Sequence, residues 1–254
     1  MARINITYLM KFIVIIPARY QSTRFPGKPL AKLGGKPVIQ WVCENAASAI
    51  DDVWVATDDQ RIFDKVESFG GKAIFTSPDH KSGTDRCAEA ADILKKNIDF
   101  DVVINIQGDE PFVQPSQLEA LKSCFDGNVS IVTLIRKITK TDELLNPNRP
   151  KVVIDNKNFA LYFSRSPIPY MRGKPEAEWI NYHEYWGHVG MYAYTYNVLK
   201  EITQLKPGKL EETESLEQLR WIENNFRIKT AETNFQSIGI DSPADLKEAE
   251  LLIK

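Results

Sequence analysis

The chain has 254 residues, enough for one large or two small domains at roughly 150 residues per domain. Its 32 Lys and Arg against 34 Asp and Glu give a formal net charge of −2, which argues against nucleic-acid binding by bulk counterion release and against a polybasic membrane clamp. The longest apolar run, Phe12 to Ile16, is far shorter than the ~20 residues that span a bilayer, so we expect no membrane insertion. Three widely spaced cysteines are typical of reduced thiols in a cytoplasmic chain.

Short β-branched runs alternate with stretches of helical period from residue 10 onward, as in strands joined by crossover helices. Residues 1–9 precede this pattern and are interpreted as an added or alternative leader outside the fold. The first predicted elements are strand 12–16, helix 37–50, strand 53–57, helix 60–69, strand 72–75, helix 84–97 and strand 101–106. This order predicts a doubly wound, mostly parallel sheet in residues 10–135.

The pattern changes after residue 131, where a strand at 132–138 is followed by the runs 151–155 and 159–163. The Asn-Lys-Asn between these two runs predicts a hairpin, so the sheet is expected to be mixed. The remaining predictions are a lid or contact loop at 164–187, strand 188–194, helices near 196–205 and 214–225, a strand near 227–232, and a final helix capped by Ser242. We therefore predict one α/β domain over 10–254, with a smaller inserted lobe at about 136–220 and a return to the main sheet at 221–254.

Three cations lie on the loop that leaves the first strand: Arg19, Arg24 and Lys28. Open α/β sheets bind ligands at the carboxyl ends of their strands, so this loop could surround a triphosphate; a solvated basic loop is the alternative. The sequence lacks GxGxxG, and neither of its Gly-Lys-Pro stretches has the Ser or Thr of a Walker loop. Hydride transfer from a dinucleotide and P-loop phosphoryl transfer are therefore disfavoured.

Two aspartates are candidate metal ligands. Asp109 follows a buried strand in INIQGDEP, and Asp241 precedes the final helix in GIDSPADL. Mg²⁺ favours few carboxylates together with substrate phosphate oxygens, which an acid facing the cationic loop would provide. An acidic turn at Asp109 and simple helix capping near Asp241 are the alternatives. The pair favours a shared metal site.

Eight motifs carry a resemblance that runs from about Lys11 to Lys254. They are IIPARYQSTRFPGKPL, ATDD, DHKSGTDR, NIQGDEP, ALYFSRSPIPY, HVGMYAY, LEQLR and GIDSPADL. In this order they resemble the motifs of the 3-deoxy-manno-octulosonate cytidylyltransferases, which make CMP-Kdo. The resemblance implies a nucleotidyltransferase α/β fold with a smaller sugar-binding and dimerising lobe. Residues 171–187 match no family pattern.

The resemblance also implies roles for individual residues. Arg19, Arg24 and Lys28 match phosphate-contacting cations, and Arg19, Lys28 and Asp109 are the implied catalytic residues. Asp109 and Asp241 match Mg²⁺ ligands. The positions implied near the nucleotide and the sugar are Ser82, Arg86 and Gln107. The positions implied to hold the eight-carbon sugar acid are Arg165, His188, Tyr192, Glu217 and Gln218, together with Arg86 and Gln107.

Residue patterns alone leave other interpretations open for the sugar-site positions. Arg165 could form a surface ion pair, and His188 could be a hydrogen-bonded structural histidine on an apolar strand. Glu217 and Gln218 flank a buried stripe, so solvent exposure is equally compatible with the helical pattern.

The resemblance implies a homodimeric, cytoplasmic, Mg²⁺-dependent enzyme that activates 3-deoxy-D-manno-octulosonate (Kdo) with CTP for lipopolysaccharide biosynthesis. Pyrophosphate is the expected second product. One alternative is a cytidylyltransferase for a related acidic sugar, such as 8-amino-Kdo or a nonulosonic acid. Another is a catalytically silent nucleotide-binding module on the same fold.

Overall fold

The computed structural model describes residues 10–235 and 238–253; the predicted leader lies outside them. The strands are β1 (Phe12–Ala18), β2 (Lys32–Leu33), β3 (Lys36–Pro37), β4 (Val53–Thr57), β5 (Lys72–Phe75), β6 (Val102–Asn105), β7 (Ile131–Lys137), β8 (Lys151–Ile154), β9 (Ala160–Ser164), β10 (Trp186–Thr195) and β11 (Lys229–Glu232). The α-helices are α1 (Val38–Ala47), α2 (Gln60–Ser68), α3 (Gly83–Leu94), α4 (Pro115–Ser123), α5 (Thr141–Leu145), α6 (Tyr196–Thr203), α7 (Lys209–Glu214), α8 (Gln218–Glu223) and α9 (Pro243–Glu250). Two 3₁₀ helices cover Lys28–Leu30 and Glu176–Asn181.

A mixed sheet organises the chain, with its main strands in the order β11, β7, β10, β6, β1, β4, β5. β1 pairs in parallel with both β4 and β6, whereas β10 runs antiparallel to β6 and β7. The chain passes from β1 to β4 on one side and returns later to β6 on the other. The ends of β1 and β6 therefore form a topological switch point, where open α/β sheets bind ligands.

Helices cover both faces of this sheet because its central strands are apolar on both sides. In β1, Val14 and Ile16 pack into the layer beneath α1, α2 and α4, and Ile13 and Ile15 pack into the layer beneath α3, α6 and α8. All four side chains are almost fully buried. A strand buried on both faces has a continuous apolar run rather than an alternating one, which explains why the sequence pattern revealed β1.

The predicted fold class is confirmed, and β4 and β5 have the predicted bounds. The hairpin is also present, since β8 and β9 pair antiparallel. The helix predicted near 214–225 is present as the shorter α8, whereas α7 was not predicted; the two helices are separate because Ser215 adopts a left-handed conformation at φ 51°. A left-handed conformation is energetically unfavourable for a residue other than glycine, and no pattern in the sequence marks this position. Helix α4, helix α5 and the short β2–β3 pair were not predicted.

The segment 164–187 is packed against the protein rather than lying as a featureless loop. Trp179, on the second 3₁₀ helix, and Tyr185 are buried with Ile138 and Leu144 in a small separate core. Strand β10 begins inside this segment at Trp186. β10 belongs to the main sheet although it falls within the predicted lobe of 136–220, and the division of the domain into parts stays a prediction.

No helix within residues 10–235 or 238–253 combines the length and the apolar character that a bilayer crossing requires.

Candidate active site

A cleft of about 870 Å³ opens at the carboxyl ends of β1, β4 and β6. Seven of the site residues proposed from the sequence line it: Arg19, Arg24, Lys28, Arg86, Gln107, Asp109 and Asp241. The loop after β1 supplies the first three, and the turn after β6 supplies Gln107 and Asp109. Because parallel strands end at the same edge of a sheet, segments distant in sequence meet here.

Two glycines permit the close approach of these loops. Gly27 has φ +73°, and a Cβ there would lie 3.0 Å from the ring of Tyr20. A Cβ on Gly108 would lie 3.0 Å from the carbonyl oxygen of Pro17. The Gly27 amide also donates to the Tyr20 carbonyl at 2.8 Å, which closes the loop just before Lys28. Larger residues at either position would push the cationic loop away from the turn that carries Asp109.

Lys28 connects the cationic loop to both predicted metal ligands. Its Nζ donates to Asp109 Oδ2 and, at 3.0 Å, to Asp241 Oδ1. Arg24 Nη2 lies 3.0 Å from the other oxygen of Asp241. Burial lowers the pKa of Lys28, but the charges and hydrogen bonds of the two aspartates outweigh burial and raise that pKa above its usual value. Lys28 is therefore a cation at neutral pH.

A backbone hydrogen bond holds the two aspartate segments together: the amide of Ile240 donates to the carbonyl of Asp109 at 2.8 Å. Among the described residues there is no group of three or more His, Cys, Asp and Glu side chains that could hold a metal ion. Asp109 and Asp241 thus form a two-carboxylate site. Such a site fits Mg²⁺ that completes its shell with phosphate oxygens and water, because this ion is usually held by only one or two carboxylates of the protein.

Arg86 is a buried cation in the wall of the cleft. Its side chain is only 2% exposed, and it contacts Asp58 at 3.1 Å and the Thr76 hydroxyl at 2.7 Å. Burial lowers the pKa of Arg86, Asp58 opposes this effect, and the nearby charge of Arg19 adds to it. An arginine stays charged under these conditions because its intrinsic pKa is so high.

Tyr20, Asp58 and Arg61 also line the cleft and were not among the site residues predicted from the sequence. The Arg61 guanidinium lies over the Tyr20 ring at 3.3 Å and forms a two-point contact with Asp59 at 2.6 and 2.9 Å. This stack connects α2 to the cationic loop. The signal was available, since ATDD ends β4, a strand parallel to β1, and the strand-end rule that selected Asp109 also applies there.

Ser82 and Glu217 meet at the start of α3. Ser82 caps this helix, accepting from the amide of Asp85 at 3.1 Å. Glu217 accepts from the Thr84 hydroxyl at 2.6 Å and from Ser82. Burial raises the pKa of Glu217, and these hydroxyl contacts partly oppose the rise. Gly83, between the two residues that Glu217 contacts, lines the cleft, whereas Ser82 and Glu217 are not among the lining residues.

Gln218 and Tyr192 are buried beside Glu217 with unsatisfied polar atoms. Gln218 is 5% exposed, so the alternative of solvent exposure is wrong for it. Within residues 10–235 and 238–253, the Gln218 Nε2 and the Tyr192 hydroxyl have no hydrogen-bond partner. Tyr192 pairs with Asn105 across β10 and β6, and Gln107 reaches Asn105 at 3.5 Å. Tyr192 thus lies on the strand next to the one that leads to Gln107 in the cleft.

His188 lies between the rings of Phe163 and Tyr192, at centroid distances of 5.1 and 5.3 Å. Its Nε2 lies 2.9 Å from the Thr133 hydroxyl, which itself donates to the Met191 carbonyl at 2.9 Å. A hydroxyl has one proton to donate, so we infer that His188 donates from Nε2 and keeps Nδ1 as an acceptor. Burial lowers the pKa of His188 to about 4, and the ring is neutral at pH 7.

Arg165 makes its contacts with backbone carbonyls. Its guanidinium donates to Glu214 at 2.6 Å, Pro147 at 3.0 Å and Ser215 at 3.1 Å. The backbone carbonyl of Arg165 in turn accepts from the fully buried Lys151. These contacts hold β9 against the α7–α8 corner, and a role for Arg165 in binding a carboxylate stays a prediction.

We expect His188 to make the protein less stable as the pH falls from 6.5 to about 4. Between these pH values the histidine of the unfolded chain, with its ordinary pKa of 6.5, binds a proton. The folded protein binds a proton at this ring only near pH 4, so protonation favours the unfolded state. The free energy of unfolding should therefore decrease, by no more than about 3 kcal/mol. Urea denaturation at pH 7.0, 5.5 and 4.5 measures it.

His188→Gln should flatten this dependence, because glutamine does not titrate. The exposed His183 provides the matched control, and His183→Gln should keep the wild-type slope. An unchanged slope in His188→Gln would contradict the assignment.

Comparison with known proteins agrees with this geometry. Residues 13–230 match the family model described as cytidylyltransferase. The mixed α/β sheet and the cationic cleft at its strand ends, together with this match, define a nucleotidyltransferase of the cytidylyltransferase class.

Relatives narrow the class further. The chain is 57% identical over 250 residues to the 3-deoxy-manno-octulosonate cytidylyltransferase of Bacteroides thetaiotaomicron, covering 96% of this chain and 99% of that protein. It is 50% identical over 248 residues to the enzyme of the same name from Thermodesulfovibrio yellowstonii, covering 95% and 97%. A solved structure of CMP:2-keto-3-deoxy-manno-octonic acid synthetase complexed with CTP superposes with a TM-score of 0.87 at 42% identity, covering 96% of this chain and 98% of that one. The chain belongs to the 3-deoxy-manno-octulosonate cytidylyltransferase family.

Proposed function

We propose that the protein transfers the cytidylyl group of CTP to Kdo and releases pyrophosphate. The observation that carries this proposal is one cleft that combines three cations of the loop after β1 with two carboxylates that contact Lys28, in a chain of this family. The relatives named above support Kdo as the acceptor, and the neighbouring structure complexed with CTP supports CTP as the donor.

The obstacle to the reaction is electrostatic, because an anionic sugar acid must approach a triphosphate that carries about four negative charges. Arg19, Arg24 and Lys28 on the cleft wall offset this repulsion and stabilise the charge that develops on the leaving pyrophosphate. The anomeric hydroxyl of Kdo attacks the α-phosphorus in line, the bond from that phosphorus to the pyrophosphate oxygen breaks, and the hydroxyl proton passes to solvent water. The protein therefore acts mainly by positioning and by charge compensation.

Asp109 and Asp241 would hold Mg²⁺ in this scheme, and their geometry fits the ion as described above. The metal would supply neutralisation of phosphate charge when bound. The amide of Ile240 donates to the backbone carbonyl of Asp109, so the two chain segments that carry these carboxylates are held side by side.

The sugar acid would lie beyond the phosphates, toward β10 and the start of α8. His188 offers Nδ1 as an acceptor, and Tyr192 and Gln218 offer buried polar atoms without partners among the described residues. Glu217 accepts from hydroxyls at the α3 start and could exchange them for sugar hydroxyls. Together these groups suit an acceptor with several hydroxyls.

We also propose a cytoplasmic homodimer that supplies lipopolysaccharide biosynthesis. Resemblance to the family supports the cellular role. The same resemblance supports the homodimer.

A panel of sugar acids tests the reaction. We expect CTP- and Mg²⁺-dependent pyrophosphate release with Kdo, and a kcat/KM at least about 10-fold lower with 8-amino-Kdo or a nonulosonic acid. An 8-amino group would need an acidic partner, and segment 171–187 contains three candidates. Their positions do not favour this role, because Glu176 and Glu178 are exposed and Glu184 pairs with Lys137. A higher kcat/KM with another sugar acid would contradict Kdo as the acceptor. CTP binding without turnover of any sugar acid would indicate a catalytically silent nucleotide-binding module.

A further inference from the structure

The cluster around Lys28 has a property that the proposed reaction does not by itself require. Lys28 is expected to bind phosphate, yet here its Nζ contacts both Asp109 and Asp241. Its side chain is 16% exposed, so it is held between the two acids rather than extended into solvent. Arg24 contacts the outer oxygen of Asp241 from a more exposed position, at 70%. Two cations of the protein thus neutralise the two carboxylates.

This arrangement weakens the attraction of the two carboxylates for a free divalent ion. The two acids and two bases have no formal net charge as a group, and an incoming metal ion must break the contacts of Lys28 to reach its ligands. A triphosphate changes this balance, because its oxygens can accept hydrogen bonds from Lys28 and Arg24. Asp109 and Asp241 are then available as ligands for the metal ion. After this exchange Lys28, Arg24, Asp109 and Asp241 all still have partners of opposite charge, so the arrival of one ligand favours the other.

We propose that Lys28 is a resident cation that occupies the position between Asp109 and Asp241 until the nucleotide binds, and so couples metal binding to triphosphate binding. This inference rests on the metal and nucleotide assignments of the proposed function. By reciprocity, the triphosphate is held more tightly by the metal-loaded protein, to the same extent that the metal is held more tightly by the nucleotide-loaded protein. The coupling keeps the cleft from filling with a divalent ion before its substrate arrives.

Binding of Mn²⁺ in the absence of any nucleotide tests the inference. Mn²⁺ takes the same oxygen ligands as Mg²⁺, and free Mn²⁺ can be counted by electron paramagnetic resonance. Lys28→Met removes the resident cation, so Mn²⁺ should bind at least about 10-fold more tightly than to the wild type, within the usual range of coupling between sites. Arg24→Gln should give a smaller gain, because its exposed ion pair is weaker.

Two controls separate the possible outcomes. Lys36→Met removes an exposed cation that pairs with Glu44 outside the cleft, and should leave Mn²⁺ affinity unchanged. Adding Asp109→Asn to Lys28→Met should abolish the increase in Mn²⁺ affinity. This result would show that the more tightly bound ion lies at Asp109 and Asp241. Lys28→Gln, also uncharged but polar, replaces the Met variant if that variant fails to fold.

Wild-type Mn²⁺ affinity in both Lys28 variants, with binding still lost in Asp109→Asn, would overturn the resident-cation role and leave the metal assignment intact. Mn²⁺ binding that ignores Asp109→Asn in every background would overturn the metal assignment and this inference with it. Pyrophosphate release, measured separately, reports on the proposed reaction in either case.

Discussion

Asp109→Asn is expected to lower kcat/KM for CTP by about 10³-fold or more, the largest effect of any substitution considered for this cleft. The amide keeps the size of the carboxylate but loses the charge that would hold Mg²⁺. It also removes the closest partner of Lys28, which leaves that buried ammonium with Asp241 alone. A continuous assay of pyrophosphate release measures the loss.

A matched substitution shows whether the loss is specific. Asp99 is exposed and pairs with Lys11 far from the cleft, so Asp99→Asn should have near-wild-type turnover. Circular dichroism of Asp109→Asn should match the wild type, because its carboxylate lies at the cleft and outside the apolar core. Wild-type turnover that persists in excess chelator would contradict a metal at Asp109.

Lys28→Ala should lower kcat/KM for CTP by about 10²-fold or more. In the proposed reaction the Lys28 ammonium stabilises the charge that accumulates on the leaving pyrophosphate, and removing one such stabiliser typically costs this much. The substitution also leaves Asp109 and Asp241 facing each other without the cation between them. Steady-state kinetics with varied CTP at saturating Kdo measure the effect.

The control for charge alone is Lys36→Ala, since Lys36 is exposed and pairs with Glu44. It should leave kcat/KM within about two-fold of the wild type, as for most surface substitutions. If Lys28→Ala turned over CTP as fast as Lys36→Ala, the phosphate role of the loop after β1 would be wrong.

Much of the main sheet could be predicted because its strands carry their own signal. β1, β4 and β6 are buried and therefore appear as short apolar runs between polar helices. The capping box of Ser242 and Asp245 likewise lies within four residues and is present as predicted. Signals of this kind depend only on near neighbours in the chain.

The elements that sequence analysis missed depend on distant partners. The core around Trp179 forms only because Ile138 and Leu144 approach from other elements. Helices α7 and α8 separate at a left-handed Ser215, a conformation that the sequence does not specify. Gln218 is buried because α8 packs into the main core, whereas its helical pattern was equally compatible with exposure.

The sequence by itself determined the family, the α/β class and the chemical character of the cleft, since cations and acids at strand ends converge in any parallel sheet. Tertiary structure alone decided how those charges pair. Lys28 contacts Asp109 and Asp241 across 81 and 213 residues of chain. Arg61 lies on α2, which follows β4, and contacts Tyr20 on the loop after β1. Composition and spacing define which charges are available, but only the packed fold fixes the distances between them, and electrostatic energy depends on distance and burial.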